Sequence, residues 1–238
     1  MIARTRGVFI TGTDTEVGKT LVASAMVRSL AQDGNRIAVM KPIAAGAEPT
    51  DAGLRNTDAI ELMAAANAPA PYDTVNPYCL KMPASPHIAA AKEGISIKLA
   101  PIVQAFGQLT RASDLVIVEG AGGWLAPINE AETMADVAVA LDLPVVLVVG
   151  LRLGCLNHAL LTAQAIEARG LTLAGWIANH VQPRFEHAAE NIATLETRLV
   201  APLLDVVPFQ PAESSTATQA PLLLSRIAVA RIKEVLRL

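Results

Sequence analysis

Short apolar runs alternate along the chain with longer segments in which apolar residues recur at helical spacing. The runs at Leu115–Glu119 and Val145–Val149 are almost continuously apolar, which is typical of strands buried on both faces. Strands alternating with helices predict an α/β fold, a mostly parallel sheet flanked by helices in one domain over residues 1–238. The predicted strands are Val8–Thr11, Ile37–Lys41, Leu115–Glu119, Val145–Val149, Leu173–Ala178 and Leu204–Val207. The predicted helices are Lys19–Asp33, Asp58–Ala65, Pro86–Lys92, Leu99–Arg111, Met134–Leu141, Leu156–Arg169, Glu186–Leu199 and Leu222–Leu236.

The segment from Asn67 to Pro86 interrupts this alternation because it holds five prolines, at positions 69, 71, 77, 83 and 86. A proline-rich linker between two domains is one interpretation. The composition does not change after the segment, however, and the strand–helix alternation resumes. A long surface loop without regular elements is therefore the better interpretation, and loops of this length often carry functional residues.

Composition and charge narrow the classes of partner. The formal net charge of −3 gives no general basic surface, so we expect no nucleic-acid partner. The longest apolar run, Pro144 to Gly150, is too short to span a bilayer, and the polar start Met1–Arg6 is unlike a signal peptide. The two cysteines, Cys79 and Cys155, lie far apart in no metal-binding spacing, so we expect reduced thiols. These features together predict a cytoplasmic protein without a membrane partner.

The stretch "GTDTEVGKT" near the amino terminus carries the clearest chemistry. It lies between a predicted strand and a predicted helix, and five residues separate Gly12 from Gly18 where the usual phosphate-binding loop has four. Lys19 supplies a positive charge, and the Thr20 hydroxyl is suitably placed for Mg²⁺. An ordinary glycine turn is the alternative. The strand and the helix on either side favour a phosphate-loop NTPase fold that binds a nucleotide.

Charged residues also end two of the predicted strands, whose carboxyl ends meet at one edge of a parallel sheet. Glu119 follows an apolar run, where phosphate-loop enzymes place an acid that binds Mg²⁺. A carboxylate in that position needs a cation nearby. Lys41 could supply it, or could be an ordinary solvated lysine at a strand end. Asp58 could simply cap a helix, as could either of its two preceding neighbours.

Several stretches taken together resemble dethiobiotin synthetase, an ATP-dependent enzyme of biotin synthesis. They are, in order, "TGTDTEVGKT", "KPIAAG", "NTDA", "VNPY", "SPHIAA", "VEGAGGW", "VVGLRLGCLNHALLTAQAI" and "LAGWIAN". The resemblance extends to Pro208 and is weaker beyond it. It implies that the chain joins CO₂ to 7,8-diaminopelargonate. One amine would form a carbamate, the γ-phosphate of ATP would activate it as a mixed anhydride, and the second amine would close the ring and release phosphate.

The resemblance also implies roles for individual residues. The catalytic residues would be Lys41, Lys19 and Glu16. Mg²⁺ would be held by Thr20, Asp58 and Glu119, which replaces the helix-cap interpretation of Asp58. ATP would be bound by Glu16, Val17, Gly18, Lys19, Thr20, Leu21, Asp58, Glu119, Gly120, Ala121, Gly122, Asn179, His180, Pro208, Phe209, Gln210 and Glu213. Within that set, Asn179 would contact the edge of adenine.

A homodimer with the substrate site at its interface is implied as well. The stretch "GLRLGCLNHALL" enters a helix whose first N–H groups can bind a carboxylate. In the family, this segment of the neighbouring subunit holds the carboxylate tail of the substrate. The substrate-binding residues would then be Lys41, Ala45, Gly154, Cys155, Leu156 and Asn157. We do not expect Cys155 to act as a nucleophile, because no nearby group would activate its thiol.

Two positions depart from the family pattern. Ala45 stands where the family usually has a serine whose hydroxyl contacts the substrate through a hydrogen bond worth about 1 kcal/mol. His180 stands where an aspartate often follows the asparagine. The first change is expected to affect substrate affinity, and the second to affect which nucleotide is tolerated.

Three other functions compete with this interpretation. A nucleotide-dependent switch ATPase of the partition or metal-delivery type usually carries a lysine near the start of its phosphate loop, where this chain has Asp14. A cobyrinate amidation enzyme normally brings a glutamine-hydrolysing domain, for which the chain has no room. An interaction module would not explain lysines and acids at several strand ends. The switch ATPase is the strongest of these alternatives.

Overall fold

The computed structural model describes residues 6–211 and 222–236. In chain order its elements are β1 (Gly7–Gly12), α1 (Lys19–Gln32), β2 (Ile37–Met40), β3 (Ile43–Ala44), β4 (Glu48–Thr50), β5 (Gly53–Arg55), α2 (Thr57–Ala65), α3 (Tyr72–Val75), β6 (Tyr78–Cys79), α4 (Pro86–Glu93), α5 (Leu99–Ala112), β7 (Leu115–Glu119), α6 (Met134–Leu141), β8 (Val145–Leu151), α7 (Cys155–Ala168), β9 (Leu173–His180), α8 (Ala188–Arg198), β10 (Leu203–Val207) and α9 (Arg226–Leu236). None of the helices in these ranges combines the length and the apolar character needed to cross a membrane.

Six strands form one sheet in the order β10-β9-β8-β1-β7-β2, and every neighbouring pair is parallel. The predicted α/β fold with a parallel sheet flanked by helices is confirmed. Because all strands run in the same direction, their carboxyl ends lie at one edge of the sheet. The register brings Ile10 beside Glu119 and Met40 beside Val118, so the ends of β1, β7 and β2 are adjacent.

Helices cover both faces of this sheet, and the strand residues alternate between the two. Val8 and Ile10 of β1 pack in a cluster with buried residues of α1 and α9, whereas Phe9 between them packs in a cluster with α5 and α6. A third cluster joins Leu147 and Trp176 to residues of α7 and α8. With apolar neighbours on both faces, the central strands are almost continuously apolar, as predicted for β7 and β8.

The proline-rich segment was predicted wrongly in one respect, because it does contain regular elements. The short helix α3 and the strand β6 lie within it, and β6 pairs with β3 in parallel. Prolines occupy positions that tolerate them, with Pro71 at the cap of α3 and Pro86 in the first turn of α4. The pairing of β6 with β3 involves only two residues in each strand. Strands this short leave no alternation in the sequence, and neither does the small β4–β5 hairpin.

Several element boundaries differ from the sequence prediction by one to four residues, and two of these differences have a clear structural cause. β9 continues past Ala178 to His180, because it stays paired with β8 through Leu151. The last helix begins at Arg226 rather than Leu222, because Ser225 caps it, its Oγ accepting from the N–H of Ala228 at 3.1 Å.

Truncation of a core side chain of α1 should destabilise the fold strongly. Leu30 is fully buried in the cluster between α1 and the sheet. We expect Leu30→Ala to lower the free energy of unfolding by about 2 to 5 kcal/mol in urea titrations followed by circular dichroism. Val200→Ala is the matched control, because Val200 is 97% exposed and should change that free energy by less than about 0.5 kcal/mol. Equal effects of the two substitutions would contradict the assignment of Leu30 to the core.

Candidate active site

The loop from residue 13 to residue 18 joins β1 to α1. One of its own residues, Val17, anchors it to the core. The Val17 side chain is 1% exposed, and a Cβ added to Gly12 would lie 2.6 Å from its Cγ2 atom. Asn179 also fixes the backbone of this residue, because its Nδ2 donates to the Val17 carbonyl at 2.8 Å. A Cβ on Gly18 would lie 2.2 Å from that Nδ2, and Gly18 has φ +85°, so both geometry and space require glycine there.

The amino terminus of α1 presents an anion-binding surface. Gly18 caps the helix without a side-chain hydrogen bond, and the first turn carries no acidic residue. The first N–H groups of a helix lack intrahelical partners and favour negative charge. Lys19 follows at once, and its Nζ donates to the carbonyl oxygen of Asp14 across the loop at 2.9 Å. This combination of free amides and one ammonium group suits the phosphates of a nucleotide.

Next to the loop lies a cluster of charges centred on the buried Lys41. Lys41 is 4% exposed, and its Nζ lies 2.6 Å from Glu119 Oε1 and 2.8 Å from Asp58 Oδ2. Thr20 Oγ1 donates to the same Glu119 Oε1 at 2.9 Å, which ties α1 to the cluster. The second carboxylate oxygen of Glu119 is buried and has no hydrogen-bond partner. The cluster therefore retains a free acceptor.

The charges of the cluster shift one another's pKa values. Burial alone would lower the pKa of Lys41, but the carboxylates of Glu119 and Asp58 outweigh it and hold that pKa above its ordinary value. Burial likewise would raise the pKa of Asp58, but Lys41 holds it below its ordinary range. Lys19 behaves differently, because burial, with a contribution from nearby Lys41, lowers its pKa to about 8. Lys41 is therefore a permanent cation, whereas Lys19 titrates in a mildly alkaline range.

A cavity of about 660 Å³ opens onto the loop and the charge cluster. Ten of the residues predicted from the sequence line it: Glu16, Gly18, Lys19, Thr20, Lys41, Ala45, Asp58, Glu119, Ala121 and Gly122. The volume is in the range of ligand pockets, and it joins a phosphate-binding loop to two lysines and two carboxylates. Glu16 is also one of two residues other than glycine with a positive φ in the described part of the chain, at 59°. Its backbone is thus in a conformation that costs energy and often accompanies function.

Other predicted residues lie outside this cavity. The Val17 side chain is buried in the core and Gly120 is buried beside Phe9, so these two can contact a ligand only through their backbone, whereas Leu21 is partly buried against the core. Asn179 and His180 end β9, and Val207 pairs with Asn179, which brings Pro208 to the same place. Phe209 and Gln210 follow in a half-buried segment. Glu213 lies outside the described residues.

The predicted substrate-binding residues at the start of α7 form a separate surface. Gly154 caps this helix, and Asn157 is exposed. The Cys155 side chain is buried and donates to Asn191 Oδ1 at 3.5 Å, so its thiol does not face a ligand. Leu156 is half-buried and packs against the third apolar cluster.

Sequence reasoning missed several residues of the cavity. They are Thr15, Ala44, Pro83, Ala84, Ser85, Pro86, Gly123 and Ala126. Most belong to stretches that carried the family resemblance, such as "SPHIAA" and "VEGAGGW". The missing information was that residues 83–86 lie against the turn at Ala45, where Gly46 N–H donates to the carbonyl of Met82 at 3.1 Å.

Asp14, in the position that separates this loop from that of the switch ATPases, has its own partner. Its carboxylate forms an ion pair with the Arg152 guanidinium, which follows β8. Both side chains are partly exposed, so the pair contributes little to stability. It does connect the first half of the phosphate loop to the segment that leads into α7.

Comparison with known proteins identifies relatives over nearly the whole chain. A family model described as an AAA domain matches residues 6–216. The ATP-dependent dethiobiotin synthetase BioD of Xanthomonas axonopodis pv. citri (strain 306) is 49% identical, over 89% of this chain and 94% of the relative. The enzyme of the same name from Aromatoleum aromaticum (strain DSM 19018 / LMG 30748 / EbN1) is 50% identical, over 91% of this chain and 98% of the relative.

Solved structures with low sequence identity share the fold. The MinC:MinD cell division protein complex of Aquifex aeolicus matches with a TM-score of 0.59 and 16% identity, over 98% of this chain and 95% of the solved chain. Chloroplast FtsY of Physcomitrella patens matches with a TM-score of 0.53 and 15% identity, over 99% of this chain and 66% of the solved chain. At these identities the likeness extends to the fold alone.

The lowered pKa of Lys19 predicts that nucleotide binding is coupled to a proton. Because burial lowers the pKa of Lys19 to about 8, we expect part of this side chain to be neutral in the free protein at pH 8.5, and the phosphates of ATP should restore the ammonium form. Isothermal titration calorimetry in buffers of different ionisation enthalpy should therefore show proton uptake on ATP binding. The uptake should disappear in Lys19→Arg, because a guanidinium keeps its charge at this pH. Equal uptake by both proteins would contradict the assignment to Lys19.

Proposed function

The chain belongs to the family of ATP-dependent dethiobiotin synthetases, and from that premise we infer how its residues carry out the reaction. It is an enzyme, an ATP-dependent ligase of biotin biosynthesis, and it acts on small molecules. We propose the following sequence of steps. One amine of 7,8-diaminopelargonate takes up CO₂ as a carbamate, and the carbamate oxygen attacks the γ-phosphorus of ATP and displaces ADP. The second amine then attacks the carbonyl carbon of the mixed anhydride, and phosphate leaves as the ring closes.

A single observation carries the proposed chemistry: a buried lysine, paired with two carboxylates, shares one cavity with a phosphate-binding loop. The carbamate and the triphosphate are both anions, so their approach requires cations fixed at the point of transfer. In the proposal Lys41 provides that charge near the carbamate, and Lys19 provides it at the β- and γ-phosphates. Phosphoryl transfer needs little more from the protein than position and charge, so no nucleophilic side chain is required.

We propose that Thr20, Asp58 and Glu119 hold Mg²⁺ together with phosphate oxygens of ATP. The donor set suits the ion, because Mg²⁺ prefers hard oxygen ligands and is usually bound by one or two carboxylates plus substrate phosphates. The buried oxygen of Glu119 without a partner supports this assignment. In the described ranges no three His, Cys, Asp or Glu side chains gather into a complete metal cage. Bound there, Mg²⁺ would neutralise charge on the phosphates.

For the nucleoside, we propose a position on the far side of the phosphate loop, at the ends of β9 and β10. Asn179 supports the proposal, because it is 3% exposed and its Oδ1 has no hydrogen-bond partner. That oxygen could accept a hydrogen bond from the exocyclic amine of adenine. His180 and the residues 208–210 would complete the pocket, with Glu213 as a further contact. Glu16, exposed at the tip of the loop, would lie between the nucleotide and the substrate.

We further propose that the enzyme is a homodimer in which α7 of the partner subunit binds the substrate's carboxylate tail. The backbone N–H groups of Leu156 and Asn157 lie in the first turn of α7, where helices bind anions. Two large apolar side chains near this helix start are exposed, Leu153 at 94% and Leu161 at 57%. Exposed apolar residues next to a ligand-binding helix start favour burial against a second copy. Gly154 and Cys155 would contribute backbone contacts.

Three further proposals complete the assignment. Residues 1–238 form one ATP-binding domain, supported by the family match over 6–216 and by the packing of α9 against the core. The protein acts in the cytoplasm, consistent with free thiols at Cys79 and Cys155. Ala45, which lines the cavity, lacks the hydroxyl of the family serine and weakens substrate binding by about 1 kcal/mol.

The switch ATPase is not favoured, since the relatives carry the name of a synthetase.

The coupled reaction tests these assignments directly. With ATP, Mg²⁺ and bicarbonate, the purified protein should release phosphate only when 7,8-diaminopelargonate is present, in equal amount to the dethiobiotin detected by mass spectrometry. We expect Lys41→Met, which removes the charge but keeps most of the volume, to lower kcat by about 100-fold or more. The exposed Lys81→Met is the control and should leave kcat unchanged. Phosphate release that ignores the diamine would favour the switch ATPase instead.

The proposed dimer predicts that a charge at Leu153 separates the subunits. We expect Leu153→Glu to sediment largely as a monomer in analytical ultracentrifugation, because an ionised side chain is costly to bury in an apolar interface. Its KM for the diamine should rise, while its Kd for ATP should not change. Ile227→Glu replaces another exposed apolar residue, 66% exposed on α9, and should remain dimeric. A Leu153→Glu protein that remains dimeric with normal KM would contradict this interface.

A further inference from the structure

Behind the charge cluster lies a group of polar side chains to which the reaction itself assigns no role. We call Asn56, Tyr72 and Asn76 the hub. Asn56 is 7% exposed and Asn76 is 2% exposed, so their amides are almost completely removed from water. Buried amides are costly unless they are hydrogen-bonded, and here they are bonded to the backbone that carries the active-site residues.

The Tyr72 hydroxyl joins the two asparagines. It accepts a hydrogen bond from the Asn56 backbone N–H at 2.8 Å and donates to Asn76 Oδ1 at 3.1 Å. Cys79 Sγ lies 3.3 Å from the Tyr72 hydroxyl oxygen. Burial raises the pKa of Tyr72 to about 12, so the hydroxyl keeps the proton that it donates. Arg55 lies over the ring, 4.0 Å from its centre, and helps to fix its orientation.

Asn76 connects the hub to Lys41. Its Nδ2 donates to the Lys41 carbonyl at 2.6 Å and to the Tyr78 carbonyl at 3.2 Å. The Lys41 backbone N–H donates in turn to the carbonyl of Val75 at 2.8 Å. Lys41 follows β2, an edge strand of the sheet, and is itself followed by Pro42. The polar groups of its peptide therefore depend on this segment for partners inside the protein.

Asn56 connects the hub to Asp58 and to the substrate side of the cavity. Its side-chain oxygen accepts from the N–H of Ala59 at 3.4 Å and so caps α2, whose second residue is Asp58. Its Nδ2 donates to the carbonyl of Ala45, which lines the cavity, at 3.2 Å. One hydroxyl thus links the backbone of the catalytic lysine to that of its carboxylate partner.

We propose that the hub consists of positioning residues, which set where the Lys41 ammonium and the Asp58 carboxylate stand relative to the phosphate loop. The inference rests on the proposed function, since it assumes that Lys41 acts at the point of phosphoryl transfer. None of the three hub residues lines the cavity, so in this proposal they act through the backbone of residues 41, 45 and 58. Displacement of a catalytic group by a fraction of an ångström lowers the rate of the chemical step more than it lowers ligand affinity.

The two tyrosines of the chain allow a matched test. Tyr72→Phe removes the hub hydroxyl and keeps the ring. Tyr78→Phe removes a hydroxyl from the neighbouring segment, where it is bonded only to the backbone of Lys98, away from the charge cluster. For both variants we would measure kcat for dethiobiotin, Kd for ATP with Mg²⁺, and the number of ATP-binding sites per chain. Dividing kcat by that number removes any contribution from unfolded protein.

The expected result is a split between the chemical step and binding. Tyr72→Phe should lower kcat per ATP-binding site about tenfold or more, while its Kd for ATP stays within about twofold of wild type. Tyr78→Phe should change neither by more than about twofold. Equal kcat values for the two variants would overturn the positioning role, as would a loss confined to the number of ATP-binding sites. If the wild type forms dethiobiotin and Lys41→Met does not, the proposed function stands in either case.

Discussion

The site depends on one buried ion pair, between Lys41, which directly follows β2, and Glu119 at the end of β7. Neither side chain has appreciable access to water, at 4% and 0% exposure. An unpaired ammonium or carboxylate in that position would cost several kcal/mol, so each requires the other. The sheet provides the pairing, because Met40 lies beside Val118 and the residue that follows each of them in the chain is a member of the ion pair. A different strand order would leave two buried charges without partners.

A hydrogen bond connects the helix that follows the phosphate loop to this ion pair. Thr20, in the first turn of α1, donates to the same oxygen of Glu119 that receives the Lys41 ammonium. Below the loop, Val17 is fixed in the core and Asn179 bonds its carbonyl. The amide groups of the helix start and the lysine ammonium are consequently held in one rigid arrangement. Such fixed dipoles and charges stabilise developing negative charge without reorganising during the reaction.

Local patterns in the sequence were sufficient to predict the sheet, most of the helices and the phosphate loop. Continuous apolar runs identified β7 and β8, and the Gly-Lys-Thr ending identified the start of α1. The hub could not be predicted in this way, because Asn76 meets Lys41 across 35 positions and its chain segment holds elements of only two to four residues. The same applies to Asn179, which reaches Val17 across 162 positions. Contacts of this kind follow from the packed fold and leave no periodicity along the chain.

The two lysines of the cavity are suited to different tasks because their surroundings differ. Lys41 has two carboxylates within hydrogen-bonding distance, so it remains charged whether or not an anion is present. Lys19 is bonded to a carbonyl oxygen, and its burial, followed by the positive charge of Lys41, lowers its pKa to about 8, so part of its charge is lost in mildly alkaline solution. A triphosphate would reverse that balance by adding negative charge beside it. Lys41 therefore carries its positive charge before the nucleotide binds, whereas Lys19 acquires its full charge only as the nucleotide binds.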